Sequence, residues 1–364
     1  MQMINGDIAS TLMDFLKDRE IDDSNFRLRT VDKLAKNTPM LDDMVIVECD
    51  NGTALSVKVE TEIPWPEWIG LNEGLRGGKT SSDSYEVRCG MMGTKVVIPR
   101  KLFRDAKKRS DLHANKLVDE RLTKTIRGMR LAMEEMIVYG KLKDNPKGFN
   151  GLEKAYSKYG YNGANGQVLC NDEMKAATNV FNGQVFAGDG ATTDVGSIYL
   201  VSWGTSGWVG CHPQGMDTGI DIDEMVESEM PDPKKPGTNI KTYERELYWQ
   251  MGLGCGDVMA GGRIVNIPRN LMLLDSNRDK RDKFVDLLSL MSESVKREGG
   301  KLAWYMDRTM KKNIRAMIES QVRGRAIEMK EYMGRKDVTM LFDIPVRESD
   351  AMLVKESVVQ PFAA

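Results

Sequence analysis

An apolar stripe with helical spacing between residues 115 and 139 is the feature that most constrains this chain. Apolar side chains recur there at steps of three and four positions, which predicts one buried face of an α-helix. Charged residues, Arg130 and Glu134 among them, are assigned to the other faces, and Gly140 follows as a stop signal. Such a helix is about 40 Å long at about 1.5 Å per residue, which suits a structural spine. The predicted core positions are Val118, Leu122, Met129, Met133 and Met136.

Strand-like segments on both sides of an irregular stretch predict a long β arm. Residues 45–49 and 55–59 flank the sequence Asp-Asn-Gly-Thr and predict a hairpin. Residues 85–89 and 94–98 return as strands. The stretch between the two pairs contains two prolines and a segment rich in glycine and serine, which predicts a flexible tip.

The rest of the chain changes from short, glycine-rich strands to charged helices. Because these elements are segregated rather than strictly alternating, the pattern predicts an α+β fold. The expected helices are 171–186, 278–297, 307–320 and 321–334, and the clearest expected strands are 197–203, 262–267, 338–342 and 351–359.

Composition excludes several classes of protein. The 52 basic and 54 acidic residues give a net charge of −2, which argues against a basic nucleic-acid-binding domain. Only 2 histidines are present, which weighs against zinc enzymes and histidine-based catalysis. No apolar run approaches the roughly 20 residues that a membrane span needs. The five scattered cysteines, without a CxxC pair, predict reduced thiols rather than disulfides or a zinc site; they are Cys49, Cys89, Cys170, Cys211 and Cys255.

Motifs that carry chemistry are weak. Gly252, Gly254 and Gly256 resemble a phosphate loop but lack the later glycine and precede a strand, which favours a turn. Cys211 and His212 are adjacent, so their side chains should point apart, as a buried thiol and a polar loop residue. We therefore predict no catalytic residue, no cofactor and no metal, and hence no enzyme.

Seven segments in order along the chain carry a resemblance to a known family. They include residues 38–44 (TPMLDDM), 63–81, 139–152, 197–219 and 342–351, together with Trp249 to Ile267 and Tyr305 to Thr309. In these segments the chain resembles the major capsid proteins of tailed bacteriophages with the HK97-like fold, specifically the subgroup of the phage epsilon15 coat protein.

The resemblance implies a division into named regions. These are an N-terminal arm (1–38), an extended β E-loop region (39–105), a P-domain with the spine helix (106–186), an A-domain (187–295) and a completion of the P-domain (296–364). It also implies a coat protein that forms hexamers and pentamers of an icosahedral shell around double-stranded DNA. The expected location is the virion, with the host cytoplasm during assembly.

Partners follow from the same resemblance. We expect further copies of the chain, a portal protein, a cement or decoration protein, and non-specific proximity to packaged DNA, with no membrane. The E-loop begins near residue 40, which leaves no fused pro-domain and implies a separate scaffolding protein. Trp65 and Trp68 are expected to anchor the E-loop to a neighbouring subunit, whereas Lys79 is a flexible-tip lysine for which no covalent crosslink is expected.

Two alternatives stay open at this point. A cellular shell that encloses cargo could use the same fold and would present an inner groove for cargo peptides. An α+β enzyme with unrecognised catalytic carboxylates would belong to a different class, and it would purify as a monodisperse monomer rather than as particles.

Overall fold

The structure is a computed structural model and describes most of the chain between residues 38 and 359. The described residues are 38–62, 67–71, 74, 77, 81–157, 185–187, 195–231, 237–268, 278–297, 300–321, 327–332, 335–353 and 356–359. Residues 1–37, Trp65, Lys79 and all but the end of the expected helix 171–186 therefore lie outside the described residues.

Six helices and fifteen strands are assigned in the described part of the chain. The helices are α1 (Pro39–Asp43), α2 (Arg100–Arg109), α3 (Asp111–Tyr139), α4 (Leu152–Ala155), α5 (Arg278–Ser294) and α6 (Arg308–Gln321). The strands are β1 (Ile46–Glu48), β2 (Ala54–Glu62), β3 (Ser81–Arg88), β4 (Gly90–Pro99), β5 (Val185–Ala187), β6 (Val195–Trp203), β7 (Trp208–His212), β8 (Ile220–Ile222), β9 (Val226–Pro231), β10 (Asn239–Cys255), β11 (Gly261–Pro268), β12 (Lys301–Met306), β13 (Ile327–Tyr332), β14 (Arg335–Leu341) and β15 (Ile344–Glu348).

Thirteen of these strands form one sheet, and β2 and β3 form a separate two-stranded sheet. The main path through the large sheet runs β13-β14-β15-β12-β6-β7-β10-β4. Both helices and strands contribute to the core, as the α+β prediction requires.

Strand β6 lies at the centre of the sheet, and its side chains alternate between two cores. Tyr199, Val201 and Trp203 face the core that contains α3. Ile198 and Leu200 face a second core, formed with α5, α6, β14 and β15. Every residue of β6 is buried, so the sheet is covered by helices on both faces.

The spine helix α3 begins four residues earlier than predicted and ends as predicted at Tyr139. The Ser110 hydroxyl accepts a hydrogen bond from the amide of Leu112 at 3.1 Å, which caps the first turn. At the other end, a Cβ atom on Gly140 would lie 2.4 Å from the Met136 carbonyl oxygen and 2.5 Å from that of Phe149. Glycine therefore permits the close approach of the chain that ends the helix.

The predicted hairpin between residues 45 and 59 is wrong, although its turn exists. Gly52 has a φ of +60°, and Asn51 and Ala54 form a bridge across the turn. The flanking strands then diverge: β1 pairs in parallel with β7, and β2 pairs with β3. Pairing of β1 with β7 and of β2 with β3 is therefore favoured over pairing of β1 with β2, because strand pairing depends on tertiary context.

Three other predicted elements differ from the structure. Residues 327–332, expected to be helical, form β13 and pair antiparallel with β14. Val185 and Phe186, expected at the end of a helix, lie in β5 beside β11. In the expected strand 351–359, the described residues form only a bridge between Glu356 and Val195. The second and third differences reflect pairing with residues that are distant in sequence, whereas β13 pairs with the next strand of the chain.

We predict that Met129→Asp prevents the subunit from folding and therefore from assembling. Met129 is 6% exposed within the α3 core, and an unpaired charge there costs several kcal/mol. Ala132→Asp is the matched control, because Ala132 is exposed on the same helix. Soluble yield and thermal unfolding check the prediction, and normal yields of Met129→Asp shells would contradict it.

Candidate assembly interface

The β2–β3 hairpin, called the arm below, forms a two-stranded sheet separate from the large sheet. Its register runs from Ala54 opposite Arg88 to Glu60 opposite Ser82, and it shifts once before Glu62 pairs with Ser81. At about 3.4 Å per residue, a strand of this length spans about 30 Å. An isolated two-stranded hairpin is marginally stable in water, so the arm depends on what holds its two ends.

A small apolar cluster holds the base of the arm. Leu55, Val57 and Tyr85 pack there with Val209 of β7 and with cysteine side chains. The Tyr85 hydroxyl donates to the carbonyl of Cys255 in β10 and accepts from the Cys255 amide at 3.3 Å. The base is therefore fixed to the central sheet by both packing and hydrogen bonds.

The tip of the arm exposes large apolar side chains. Trp68 is 102% exposed and Leu71 is 105% exposed, so neither side chain is covered by the described residues. Ile69 is 47% exposed. Clusters of exposed apolar side chains of this kind mark interaction surfaces.

A second exposed surface follows the arm in sequence. None of the ten side chains of α2 is fully buried, and its last turn carries Lys107, Lys108 and Arg109. Leu102 in α2 and Leu112 at the start of α3 are 43% and 73% exposed. Phe103 of α2 packs against the α3 core, so only part of the apolar surface of this amphipathic helix remains open for packing against another molecule.

Arg130 joins the spine helix to α1, contrary to its assignment to a solvent-facing side. The guanidinium donates from Nε to the Thr38 hydroxyl at 2.9 Å and from Nη2 to Asp42 Oδ1 at 2.7 Å. Its side chain is 2% exposed. This buried pair holds the segment that leads into the arm against α3.

Glu134, also assigned to a polar face, is fully buried one turn further along α3. It accepts a hydrogen bond from the Ser349 hydroxyl, which links α3 to the chain after β15. Burial raises the pKa of Glu134 to about 8, and Ser349 and Arg130 offset this only in part. A carboxyl group in this environment is protonated at neutral pH and below.

A third buried network ties the last described segment to the sheet. Arg263 of β11 donates to Glu356 at 2.9 Å, to the Ser197 hydroxyl at 3.1 Å and to the Tyr156 carbonyl at 3.1 Å. The Tyr139 hydroxyl, at the end of α3, donates to the other Glu356 oxygen at 2.7 Å. Sequence analysis assigned no role to these residues, because nothing local distinguishes them from surface charges.

The predicted site residues fall into three groups. Val118, Met129 and Met133 are buried in the α3 core, and Leu122 and Met136 are partly buried against it. Trp68 lies exposed at the tip of the arm. Trp65 and Lys79 lie outside the described residues.

Cys211 is a buried thiol as predicted, but other residues considered for binding chemistry have different surroundings from those predicted. Gly252 and Gly254 lie within β10 rather than in a turn, and His212 lies in β7 rather than in a loop. Three cysteines that are scattered in sequence, Cys49, Cys89 and Cys211, have Sγ atoms within 4.8 Å of one another. Hydrogen bonding with the Cys211 thiol lowers the pKa of the Cys49 thiol to about 7.

A helix-covered sheet, a long spine helix and a protruding arm with an apolar tip define an HK97-like capsid protein. The solved structure of bacteriophage epsilon15 aligns with 99% of this chain and 99% of its own, at 18% identity and a TM-score of 0.60. The capsid of bacteriophage JBD30 aligns with 92% of this chain and 97% of its own, at 11% identity and a TM-score of 0.44. No curated protein sequence matches significantly.

The family follows from the sequence match. Residues 22–360 match the family model described as Major capsid protein GP7, so the chain belongs to this family. It is a structural coat protein that assembles with itself into the icosahedral shell of a bacteriophage virion. The resemblance, the fold class and the function predicted from sequence are confirmed, and family membership favours the phage coat over the cellular shell and the enzyme.

Among the described helices, none has the length and apolar content of a membrane span.

We predict that wild-type stability falls as pH rises from about 5 to 8, and that Glu134→Gln removes this slope. In this interval the folded state keeps the Glu134 proton while the unfolded chain, with a pKa near 4.5, has lost it. The folded state thus binds more protons, and this group lowers the free energy of unfolding by at most about 1.4 kcal/mol per pH unit. Urea unfolding of unassembled subunits at several pH values measures this free energy.

The control for this experiment is the neighbouring exposed carboxylate. Glu135→Gln makes the same substitution on the same helix at an exposed position, and it should keep the wild-type slope. Equal pH slopes for wild type and Glu134→Gln would show that Glu134 does not retain a proton in the folded subunit.

Proposed function

We propose that the chain forms the hexamers and pentamers of a shell around double-stranded DNA, and that the tip of the arm anchors each subunit to its neighbour. The exposure of Trp68 and Leu71 carries this proposal, because the described part of one chain offers nothing to cover them. Repeated contacts between identical subunits would cover each tip once in a closed shell.

The gain from covering the tip is large compared with the stability of a hairpin. A tryptophan side chain buries up to about 250 Å², and at about 25 cal/mol per Å² this corresponds to up to ~6 kcal/mol. Ordering of the tip and loss of subunit freedom consume part of that gain. Trp65, three residues before Trp68, is proposed to contribute in the same way, because the prolines on both sides of it stiffen the backbone.

The near-neutral net charge supports a position beside packaged DNA rather than tight binding to it. A net charge of −2 does not supply the many phosphate contacts that dominate DNA affinity. We propose non-specific proximity to DNA at the inner wall. Because the chain belongs to a family of structural coat proteins, we also propose no catalytic function.

Further partners and boundaries rest on the capsid family. We propose a separate scaffolding protein, a portal protein and a cement or decoration protein, with assembly in the host cytoplasm. We also propose the regional division into N-terminal arm (1–38), E-loop region (39–105), P-domain (106–186), A-domain (187–295) and P-domain completion (296–364).

We predict that Trp68→Ala impairs assembly without destabilising the isolated subunit. The reason is that Trp68 is uncovered in one chain and becomes covered only in the shell. Sedimentation and electron microscopy measure assembly, and thermal unfolding of unassembled subunits measures the stability of the monomer. We expect fewer shells, or shells that disrupt at a lower temperature, with an unchanged subunit melting temperature.

Glu67→Ala is the matched control for this variant. It truncates the neighbouring exposed side chain of the same tip but removes no apolar surface. If Trp68→Ala shells form and melt like those of wild type and of Glu67→Ala, the Trp68 ring is not an anchor.

We also predict that shells boiled in SDS run as single chains of 40.9 kDa. No motif around Lys79 demands an isopeptide bond, so the shell should be held by non-covalent contacts alone. A ladder of covalent oligomers would contradict this, and Lys79→Arg would then test whether that lysine is responsible.

A further inference from the structure

Three cysteine side chains from distant segments meet at the base of the arm. Cys49 follows β1, Cys89 lies between β3 and β4, and Cys211 lies in β7. The Sγ atoms of Cys49 and Cys89 are 3.5 Å apart, and those of Cys89 and Cys211 are 3.7 Å apart. The base of the arm therefore contains a three-thiol cluster rather than isolated cysteines.

The backbone fixes each member of the cluster independently of its thiol. The Cys49 amide donates to the His212 carbonyl and the Cys89 amide donates to the Thr53 carbonyl, both at 2.9 Å. Cys211 is paired with Gly252 of β10. A Cβ atom on Gly252 would lie 2.7 Å from the Cys211 Sγ atom, so glycine leaves the room that this thiol needs.

The spacing of the sulfur atoms fits metal coordination. Zinc binds thiolates at about 2.3 Å in tetrahedral geometry, which places pairs of ligand sulfur atoms about 3.8 Å apart. The two distances given above are close to this value. A disulfide needs about 2.05 Å between sulfur atoms, so neither pair is bonded in this structure.

We propose that Cys49, Cys89 and Cys211 form a three-thiolate site for Zn²⁺ at the base of the arm. Thiolate ligands favour Zn²⁺ over hard cations such as Mg²⁺ and Ca²⁺. Cys49 and Cys211 are 2% and 0% exposed, whereas Cys89 is only partly buried and offers the route of entry. Water completes the fourth coordination position on that side.

Binding would tie three parts of the fold together. The metal would connect β1, the end of the arm and β7 through single coordination bonds. Up to about three thiol protons are released to solvent on binding, so affinity falls as pH decreases. This site goes beyond shell formation and does not depend on the tip contact proposed above.

The experiment uses the full-length protein purified without chelators and then incubated with Zn²⁺ or Co²⁺. We expect about one tightly held zinc per chain by elemental analysis, and a thiolate-to-cobalt charge-transfer band with Co²⁺. Cys89→Ser should lower the affinity for zinc by about tenfold or more and abolish the band. Cys255→Ser is the matched control, because Cys255 is another buried cysteine outside the cluster. This variant should keep both the bound zinc and the cobalt band.

A second measurement covers the case in which variants misfold. In wild-type protein, excess Zn²⁺ should slow alkylation of Cys89 by a maleimide, as located by peptide mass mapping, and a chelator should restore the rate. Wild-type protein that retains no zinc, gives no cobalt band and shows no protection of Cys89 overturns the proposal. A Cys49–Cys89 disulfide in place of bound metal also overturns it.

Discussion

The register of strand β10 is the constraint on which the rest of the structure depends. It pairs with β4 over ten residue pairs, up to Met251 opposite Gly90, and then with β7 from Gly252 onward. Leu247, Trp249 and Met251 point into the α3 core. A slip by one residue would turn these side chains to solvent and move β4, and with it the arm, along the sheet. One strand therefore sets both the core and the position of the arm.

Buried charges align the elements that β10 does not reach. Arg130 positions α1, and Arg263 positions the segment around Glu356. Buried ion pairs add little net stability compared with apolar residues, but loss of one partner is costly. The three networks around Arg130, Glu134 and Arg263 therefore act mainly by making one docking arrangement better than its alternatives. Most of the stabilisation from buried surface comes from the apolar cores that contact these networks.

Sequence patterns predicted the elements whose causes are local. The spine helix was predictable because its apolar period and its end at Gly140 lie within one segment. The strand at 327–332 was missed although its partner β14 is the next strand in sequence, because its alternating apolar and charged residues were interpreted as part of a charged helix. The partner of β1 was not predictable, because β1 pairs with β7, far along the chain. Arg130 and the three-thiol cluster were missed for the same reason: a charge on a helix or a lone cysteine shows its partner only in three dimensions. Trp68 was predicted to anchor the arm to a neighbouring subunit; its side chain is exposed in the single chain, and the contact itself stays a prediction.

The rigidity of the arm's base decides what the exposed tip can do. The strands span about 30 Å, so a tilt of about 10° at the base displaces the tip by about 5 Å. A displacement of that size would take Trp68 out of any pocket shaped for it. The cluster around Tyr85 and the three cysteines limits this tilt before a neighbour arrives. Folding of the single chain therefore already orders the base of the arm, so that docking loses less conformational entropy. An arm that is fixed at its base and uncovered at its tip would therefore lose less entropy in the docking proposed for Trp68 than an arm that is mobile along its whole length.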